Sequence, residues 1–405
     1  MDSIRGFDQW GGTIPKKTIR DVDVRGKRVL VRVDYNVSLD KGAVRDDTRI
    51  RVTIPTVNYL LEHGAKVILI SHLGRPKDRE PELRMDLIAE RLSHLIGKPV
   101  RKLDDCVGDY VRKATESMMD GDVILLENVR FHPEEEDNDA IFAQELAKNA
   151  DLYVGDSFGT AHRAHSSTAA VTKFLPAVAG FLMEKEITYL SKLTVNPKHP
   201  FTVVLGGAKV SDKLGQIENF IGKASEVCVG GGMAFTFLRA IGYDVGKSLV
   251  EENMVDVARG ILEKARKNGL DIELPVDVVA AERLEDTANH RVVPIDEFPK
   301  DWVGVDIGPA TCKNFSRIIK NSATVFWNGP MGVYEIPSFS VGTRIVAEAV
   351  ASCMGVTVIG GGDSVTAVEN MGYAEKMDHV STGGGASIAY LSGKTLPGIA
   401  ALNDV

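Results

Sequence analysis

The stretch Phe201-Thr202-Val203-Val204-Leu205-Gly206-Gly207-Ala208-Lys209-Val210-Ser211-Asp212-Lys213-Leu214 is an apolar, β-branched run of five, then two glycines, then the lysine-bearing start of a helical pattern. A short buried strand that runs through glycine into a helix is the repeating unit of parallel sheets with crossover helices. The same order recurs from Val229 (VGGGMAF), from Ile359 (IGGGDSV) and from Thr382 (TGGGAS). Working outward, Val29–Val33, Lys66–Ile70, Val123–Leu126, Leu152–Val154, Glu226–Val229, Thr324–Trp327 and Val356–Ile359 read as further strands. Helical-period stretches at Arg51–His63, Met85–Ile96, Met254–Asn268 and Phe339–Cys353 separate them. The expected fold class is α/β, with doubly wound parallel sheets.

Composition divides the chain into two lobes. Residues 1–183 hold 16 of the 23 arginines but only 13 of the 39 glycines. Helical spacing over Met183–Leu193, broken by Asn196-Pro197-Lys198-His199-Pro200, marks a connecting helix and hinge over 184–200. The expected organisation is an anion-binding lobe over 1–183, a nucleotide-binding lobe over 201–393, and a tail, 394–405, returning to the first lobe.

With 405 residues, 44% of them hydrophobic and 26% charged, and a mean hydropathy of −0.05, the chain is an ordinary globular one. A net charge of −8 argues against a general nucleic-acid or anionic-membrane binder, so an anionic ligand must be met locally. Four cysteines, Cys106, Cys228, Cys312 and Cys353, fit neither a zinc spacing nor a disulfide framework. The start, MDSIRGFDQWGGTIPKK, lacks the apolar core of a signal peptide, and no run of 18 uncharged apolar residues occurs. The expectation is a cytoplasmic protein.

Ligands of open parallel sheets collect beyond the carboxyl ends of the strands. Asp34-Tyr35-Asn36 follows the first strand, Ser71-His72-Leu73-Gly74-Arg75-Pro76 the second, Glu127-Asn128-Val129-Arg130-Phe131-His132 the third, and Asp156 with His162-Arg163-Ala164-His165 the fourth. Arg49 precedes an amphipathic helix and joins them. Guanidinium forks suit a small, highly charged anion, whereas isolated surface arginines are usually solvated ion pairs. His162 and His165 have a metal-like spacing but no third ligand cluster, so anion recognition or plain hydrogen bonding is the preferred reading.

In the second lobe, glycine lets the backbone approach a ligand, and a helix start favours phosphate. Steric need in a tight turn is the alternative for any one of these turns. The P-loop pattern fails because Ile241 stands where its first glycine belongs, and no GxGxxG string exists. Lys209 and Lys213, at i and i+4, are expected on one helix face toward a phosphate chain, or else as two exposed helix lysines. Asp363 suits a divalent cation or a helix N-cap. Asn328 and Glu335 suit ribose or base contacts, or a turn.

These strings together resemble the phosphoglycerate kinase family: VLVRVDYNV from Val29, SHLGRP from Ser71, LLENVRFH from Leu125, SFGTAHRAHSS from Ser157, GGAKVSDKL from Gly206, GGGMAFTF from Gly230, FWNGPMGVYE from Phe326, GGGDSV from Gly360 and STGGGAS from Ser381. The resemblance implies two similar lobes facing each other across a cleft, and Mg2+-dependent phosphoryl transfer between 1,3-bisphosphoglycerate and ADP, giving 3-phosphoglycerate and ATP by a monomer. It implies a 3-phosphoglycerate side of Asp34, Tyr35, Asn36, Arg49, His72, Leu73, Gly74, Arg75, Arg130, His162 and Arg163. The implied nucleotide side is Gly207, Ala208, Lys209, Lys213, Gly231, Gly304, Asn328, Glu335, Gly361, Gly362, Asp363 and Ser364, with Asp363 toward the metal. Arg49, Lys209, Lys213, Gly384 and Gly385 are expected around the transferring group. Ser38 stands where the family usually has proline, and Gly155-Asp156-Ser157 replaces Asn-Asp-Ala. A two-lobed binding protein without chemistry, or a kinase for another carboxylate, are the rival readings.

Overall fold

The computed structural model describes residues 16–40 and 42–405; the opening segment, on which the signal-peptide reading rests, lies outside them. The chain divides into two compact units. One runs to Thr188 and takes back Thr395–Val405, and the other is Tyr189–Lys394. The division falls within the helix Phe181–Thr194.

In the first unit the strands are β1 (Arg28–Val33), the short hairpin β2 (Leu39–Asp40) and β3 (Ala43–Val44), β4 (Lys66–Ile70), β5 (Arg101–Lys102), β6 (Val123–Leu125), β7 (Leu152–Asp156) and β8 (Ala177–Ala179). Six of them form one parallel sheet in the order β5-β6-β4-β1-β7-β8. Helices cover such sheets, so the central strands are buried almost throughout, and Val29, Val31, Val67, Leu69 and Val154 form the core with Leu60 and Leu92 from the helices Ile54–Glu62 and Asp86–Ile96. The single helix read over Arg51–His63 is two, Thr48–Arg51 and Ile54–Glu62, because Pro55 starts the second and the Thr53 hydroxyl caps the Ile50 carbonyl instead. The tail packs back onto this unit: Lys16 Nζ pairs with Asp404 Oδ1 at 2.7 Å, and Asn403 Oδ1 accepts from Ala177 N at 2.7 Å.

The second unit holds β9 (Phe201–Leu205), β10 (Glu226–Val229), β11 (Asp271–Glu273), β12 (Asp277–Ala281), β13 (His290–Pro294), β14 (Val303–Ile307), β15 (Thr324–Asn328), β16 (Val356–Ile359) and β17 (His379–Val380). Its parallel sheet runs β11-β10-β9-β15-β16-β17. In order of appearance that is 3-2-1-4-5-6, so the strand order reverses between β9 and β15 and opens a crevice at their carboxyl ends. An antiparallel sheet, β13-β12-β14, stands beside it and was not anticipated, since four of the five β13 residues are exposed and give no apolar run. Among the described residues no helix is long and apolar enough to cross a membrane.

Candidate functional site

In the first unit the loops beyond β1, β4 and β6 are tied together by side chains. Asn128 stitches two of them: its Oδ1 accepts from Leu73 N and Arg130 N, and its Nδ2 donates to the Leu73 and Leu83 carbonyls. Asn36 Oδ1 accepts from Gly74 N at 2.8 Å, and Arg130 Nη1 donates to the Gly74 carbonyl at 2.7 Å. Gly74 is required there, because its φ is +64° and a Cβ would meet Leu83 at 2.8 Å. Arg49 Nη1 donates to Asp34 Oδ2 at 2.8 Å, and Arg163 Nε donates to His162 Nε2 at 3.2 Å. Arg75 is exposed and carries no ion pair among the described residues.

Asp34, Asn36, Arg49, His72, Gly74 and Arg130 are thus brought together. Two expected contact residues are not available through their side chains. Tyr35 is fully buried with its hydroxyl against Thr53 Oγ1 at 2.9 Å, and Leu73 is in the core. Tyr35 lies two residues past the end of β1 and Leu73 three past the end of β4, where each side chain turns inward, a direction that motif position alone does not reveal.

Burial and the surrounding guanidinium charges hold the histidines neutral. Burial, then Arg32, Arg130, Arg49 and Arg163, keeps His72 well below the ordinary histidine range. Burial and Arg163 lower His162, and burial with Arg130 and Arg32 brings His165 down to about 4. The rim therefore offers fixed cations and neutral imidazoles.

In the second unit backbone meets backbone. A Cβ on Gly206 would lie 2.1 Å from the Pro330 carbonyl, one on Gly231 2.6 Å from Gly207 N, and one on Gly329 2.2 Å from the Gly206 carbonyl. Three strand-end loops close on one another here, so the steric alternative accounts for these glycines. Gly304 is likewise steric, its Cβ position overlapping the Phe235 ring. Beside them lies a cavity of about 460 Å³, lined among others by Gly207, Ala208, Leu249, Gly304, Glu335 and Asp363. A mostly apolar cleft of this size with few polar groups suits a nucleoside.

Lys209 and Lys213 do not share a helix. The helix begins at Leu214 with Lys213 at its N-cap, and residues 206–213 form a loop held by Glu251, which accepts from Ser211 N and Oγ. Lys209 is exposed, whereas Lys213 Nζ donates to Asn328 Oδ1 at 2.7 Å, and burial pulls its ammonium down to about 8. Asn328 Nδ2 donates in turn to the buried Gln216 Oε1 at 3.0 Å. Gly361, at φ +88°, fits against Asn328, where a Cβ would sit 2.3 Å from Oδ1. Gly362 and Asp363 open the helix Gly362–Asn370 and are exposed, but Ser364 is fully buried and accepts from Gly329 N. Ser364 therefore ties loops together and has no free face for a ligand. Gly384 and Gly385 begin the helix Gly385–Leu391, with Gly384 at φ +48°.

The family model for phosphoglycerate kinase matches residues 19–394. The chain belongs to the phosphoglycerate kinase family. It is 53% identical over 395 residues to the phosphoglycerate kinase of Dictyoglomus turgidum, covering 96% of this chain and 99% of that one. It is 54% identical over 390 residues to that of Pelotomaculum thermopropionicum, with the same coverage. Among solved structures it is similar to phosphoglycerate kinase from Coxiella burnetii, with a TM-score of 0.89, 38% identity and 96% and 98% of the two chains covered. The enzyme from Pyrococcus horikoshii gives 0.83 at 32% identity, covering 95% and 98%. The family is one of phosphotransferases.

Arg32, Glu135 and Gln216 support the two sites and were missed by sequence reasoning. All three are buried: Arg32 lies in an apolar strand, Gln216 in a helix and Glu135 in an acidic run, where the local pattern does not distinguish them from exposed polar residues.

Proposed function

We propose that this chain transfers a phosphoryl group reversibly between 1,3-bisphosphoglycerate and ADP. The first unit takes the phosphoglycerate and the second the nucleotide. The observation that carries this reading is the division of charge: guanidinium groups gather at one unit's strand ends, while the other's hold a mostly apolar cleft and, outside its lining, the half-buried Lys213 bonded to Asn328. A carboxylate oxygen of 3-phosphoglycerate attacks the terminal phosphorus of ATP in line, the bond from that phosphorus to ADP breaks, and ADP leaves with the electron pair. The nucleophile is already ionised, so no general base is needed, and positioning and charge stabilisation do the work.

Arg49 and Lys213 are assigned to the transferring group, Lys209 assists, and the Gly384–Gly385 helix start supplies backbone donors. Arg130, Arg75, Arg163 and the neutral His72 and His162 hold the phosphoglycerate. Glu335 and Gly304, which line the cleft, hold the nucleotide, and the buried Asn328 acts through Lys213, whose ammonium donates to its Oδ1. The exposed carboxylate of Asp363 lines the cavity and fits a hard divalent cation such as Mg2+, which when bound neutralises phosphate charge. The two ligands meet when the units close about the connecting helix, in a cytoplasmic monomer. A Mg2+-dependent coupled assay comparing 3-phosphoglycerate, acetate and aspartate as acceptors tests the reading. Turnover with 3-phosphoglycerate alone is expected, and turnover with another acceptor, or none, contradicts it.

A further inference from the structure

Behind the anion rim of the first unit, on β1, the guanidinium of Arg32 is almost completely buried, and each of its nitrogens has a partner. Nε donates to Ser167 Oγ at 2.8 Å, Nη1 donates to the Val33 carbonyl, and Nη2 meets His72 Nδ1 at 3.2 Å. The Ser167 hydroxyl donates its own proton to Glu135 Oε1 at 2.6 Å, and Glu135 Oε2 accepts from Ser167 N at 2.8 Å. The carboxylate of Glu135 balances the buried cation through that hydroxyl.

A guanidinium carries five N–H donors and no acceptor. His72 Nδ1 can therefore only accept from it, and the single proton of the neutral ring lies on Nε2. No group among the described residues accepts from Nε2, and that atom is not sealed from solvent. The charged groups around the ring are Arg32, Arg130, Arg49 and Arg163, with Asp34 Oδ1 as the nearby carboxylate, 4.0 Å from Nδ1. Four cations against one carboxylate disfavour a second ring proton.

We propose that Arg32 is a positioning residue for the reaction: held by Ser167 and Glu135, it locks His72 as the Nε2–H tautomer and aims that one donor at the anionic end of phosphoglycerate. The role rests on the functional reading above and adds to it a reason for a buried arginine that touches no ligand. A mobile, protonatable histidine would bind the anion in a pH-dependent way. A locked neutral donor binds it alike across the neutral range.

Side-chain 15N spectra of the free wild-type protein read the tautomer directly, without any variant. The expected result is a His72 ring protonated on Nε2 alone, unchanged between pH 7.5 and pH 5.5, whose Nε2–H signal moves on adding 3-phosphoglycerate. In Arg32→Gln the lock on the tautomer is lost and the titration of His72 should move upward from its wild-type position, while burial and the remaining Arg130, Arg49 and Arg163 still hold it below the ordinary histidine range. KM for 3-phosphoglycerate should rise about tenfold or more and become pH-dependent, while KM for ATP stays within about twofold. A proton on Nδ1 in the wild type, titration near pH 6.5 there, or a folded Arg32→Gln with unaltered KM and pH profile would overturn the proposal. If the variant does not fold, the wild-type spectrum decides. Absence of turnover with 3-phosphoglycerate would remove the functional reading and this role together, and is told apart from a failed tautomer because the spectrum is taken without substrate.

Discussion

The two units present anion sites at the carboxyl ends of parallel strands, yet they hold their loops in opposite ways. In the first, amide and guanidinium side chains span the gaps: Asn128 bridges the loops after β4 and β6, Asn36 reaches Gly74, and Arg130 reaches the Gly74 carbonyl. In the second, glycines let main chains touch, and side chains add a few ties: Asn328 links Lys213 with Gln216, Glu251 holds Ser211, and Ser364 accepts from Gly329 N. Side-chain scaffolding leaves several fixed charges at the rim. Backbone stacking leaves few charges and a shaped cleft. The comparison teaches that one sheet architecture yields a charge-reading site or a shape-reading site according to what fills the spaces between loops.

The largest expected effect tests that division of labour. Lys213→Ala should lower turnover by about 10² to 10³, the usual cost of one preorganised charge-stabilising donor, with 3-phosphoglycerate affinity nearly unchanged. Arg130→Ala should mainly raise KM for 3-phosphoglycerate. Steady-state kinetics with each substrate varied decides the matter, and equal losses of ATP affinity in both variants would break the comparison.

Next in size is a pair of glycine substitutions. Gly231→Ala puts a Cβ within 3 Å of three backbone atoms at φ +65°, and should cost about 2–4 kcal/mol in denaturant unfolding, through overpacking and backbone strain. Gly362→Ala meets nothing within 4 Å and needs no unusual φ, so stability should change by less than about 1 kcal/mol while nucleotide affinity falls. Similar destabilisation in both would mean that the second unit's glycines are all structural.

Much of this was legible because buried parallel strands are continuous apolar runs. Lys66–Ile70, Phe201–Leu205, Glu226–Val229 and Val356–Ile359 form at their expected bounds. What escaped depends on distant partners. The loop at 206–213 resists a helix because Gly207 sits at φ +97° and Glu251, forty residues on, takes the Ser211 donors. Arg32 looks like an ordinary polar alternation in β1 until Ser167, 135 residues away, receives its Nε–H. Ser364 resembles a phosphate-facing hydroxyl until the loop after β15 claims it. Local pattern reports strands and motifs, whereas direction and partnership come from contacts remote in sequence.

A smaller effect should appear with pH in the second unit's site. Burial lowers Lys213 to about 8, so its cation is lost as pH rises through that value. Nucleotide affinity should fall above pH 8, by at most about tenfold per pH unit, whereas binding of 3-phosphoglycerate to the first unit, whose arginines stay charged, should remain flat. Titration calorimetry at pH 7, 8 and 9 checks this, and parallel declines for both ligands would assign the effect to something other than Lys213.

The smallest expected difference concerns stability, and its sign differs between the units. In the first, His72, His162 and His165 have lowered values, so the unfolded chain binds the extra protons, and these groups make stability rise with pH toward about 6.5. Buried Asp156, raised to about 7, and Glu135, also raised by burial, act the other way and offset part of that rise. In the second unit Asp306 is raised to about 7 by burial although it accepts from Gly342 N and Ile307 N. Its folded form keeps a proton that the unfolded form loses above about pH 4, so its contribution is present at low pH and disappears as pH climbs to about 7. Hydrogen exchange of β9 and β15 amides should therefore report stability falling by on the order of 1 kcal/mol per unit between pH 5 and pH 7, while β1 and β4 stay level or gain. Asp306→Asn should remove most of that slope, whatever it does to the absolute level, because an amide has no proton to lose in this range; Glu226, also raised by burial and by the neighbouring Glu273, leaves a smaller slope of the same sign. A slope unchanged by the substitution would place its source elsewhere in the second unit.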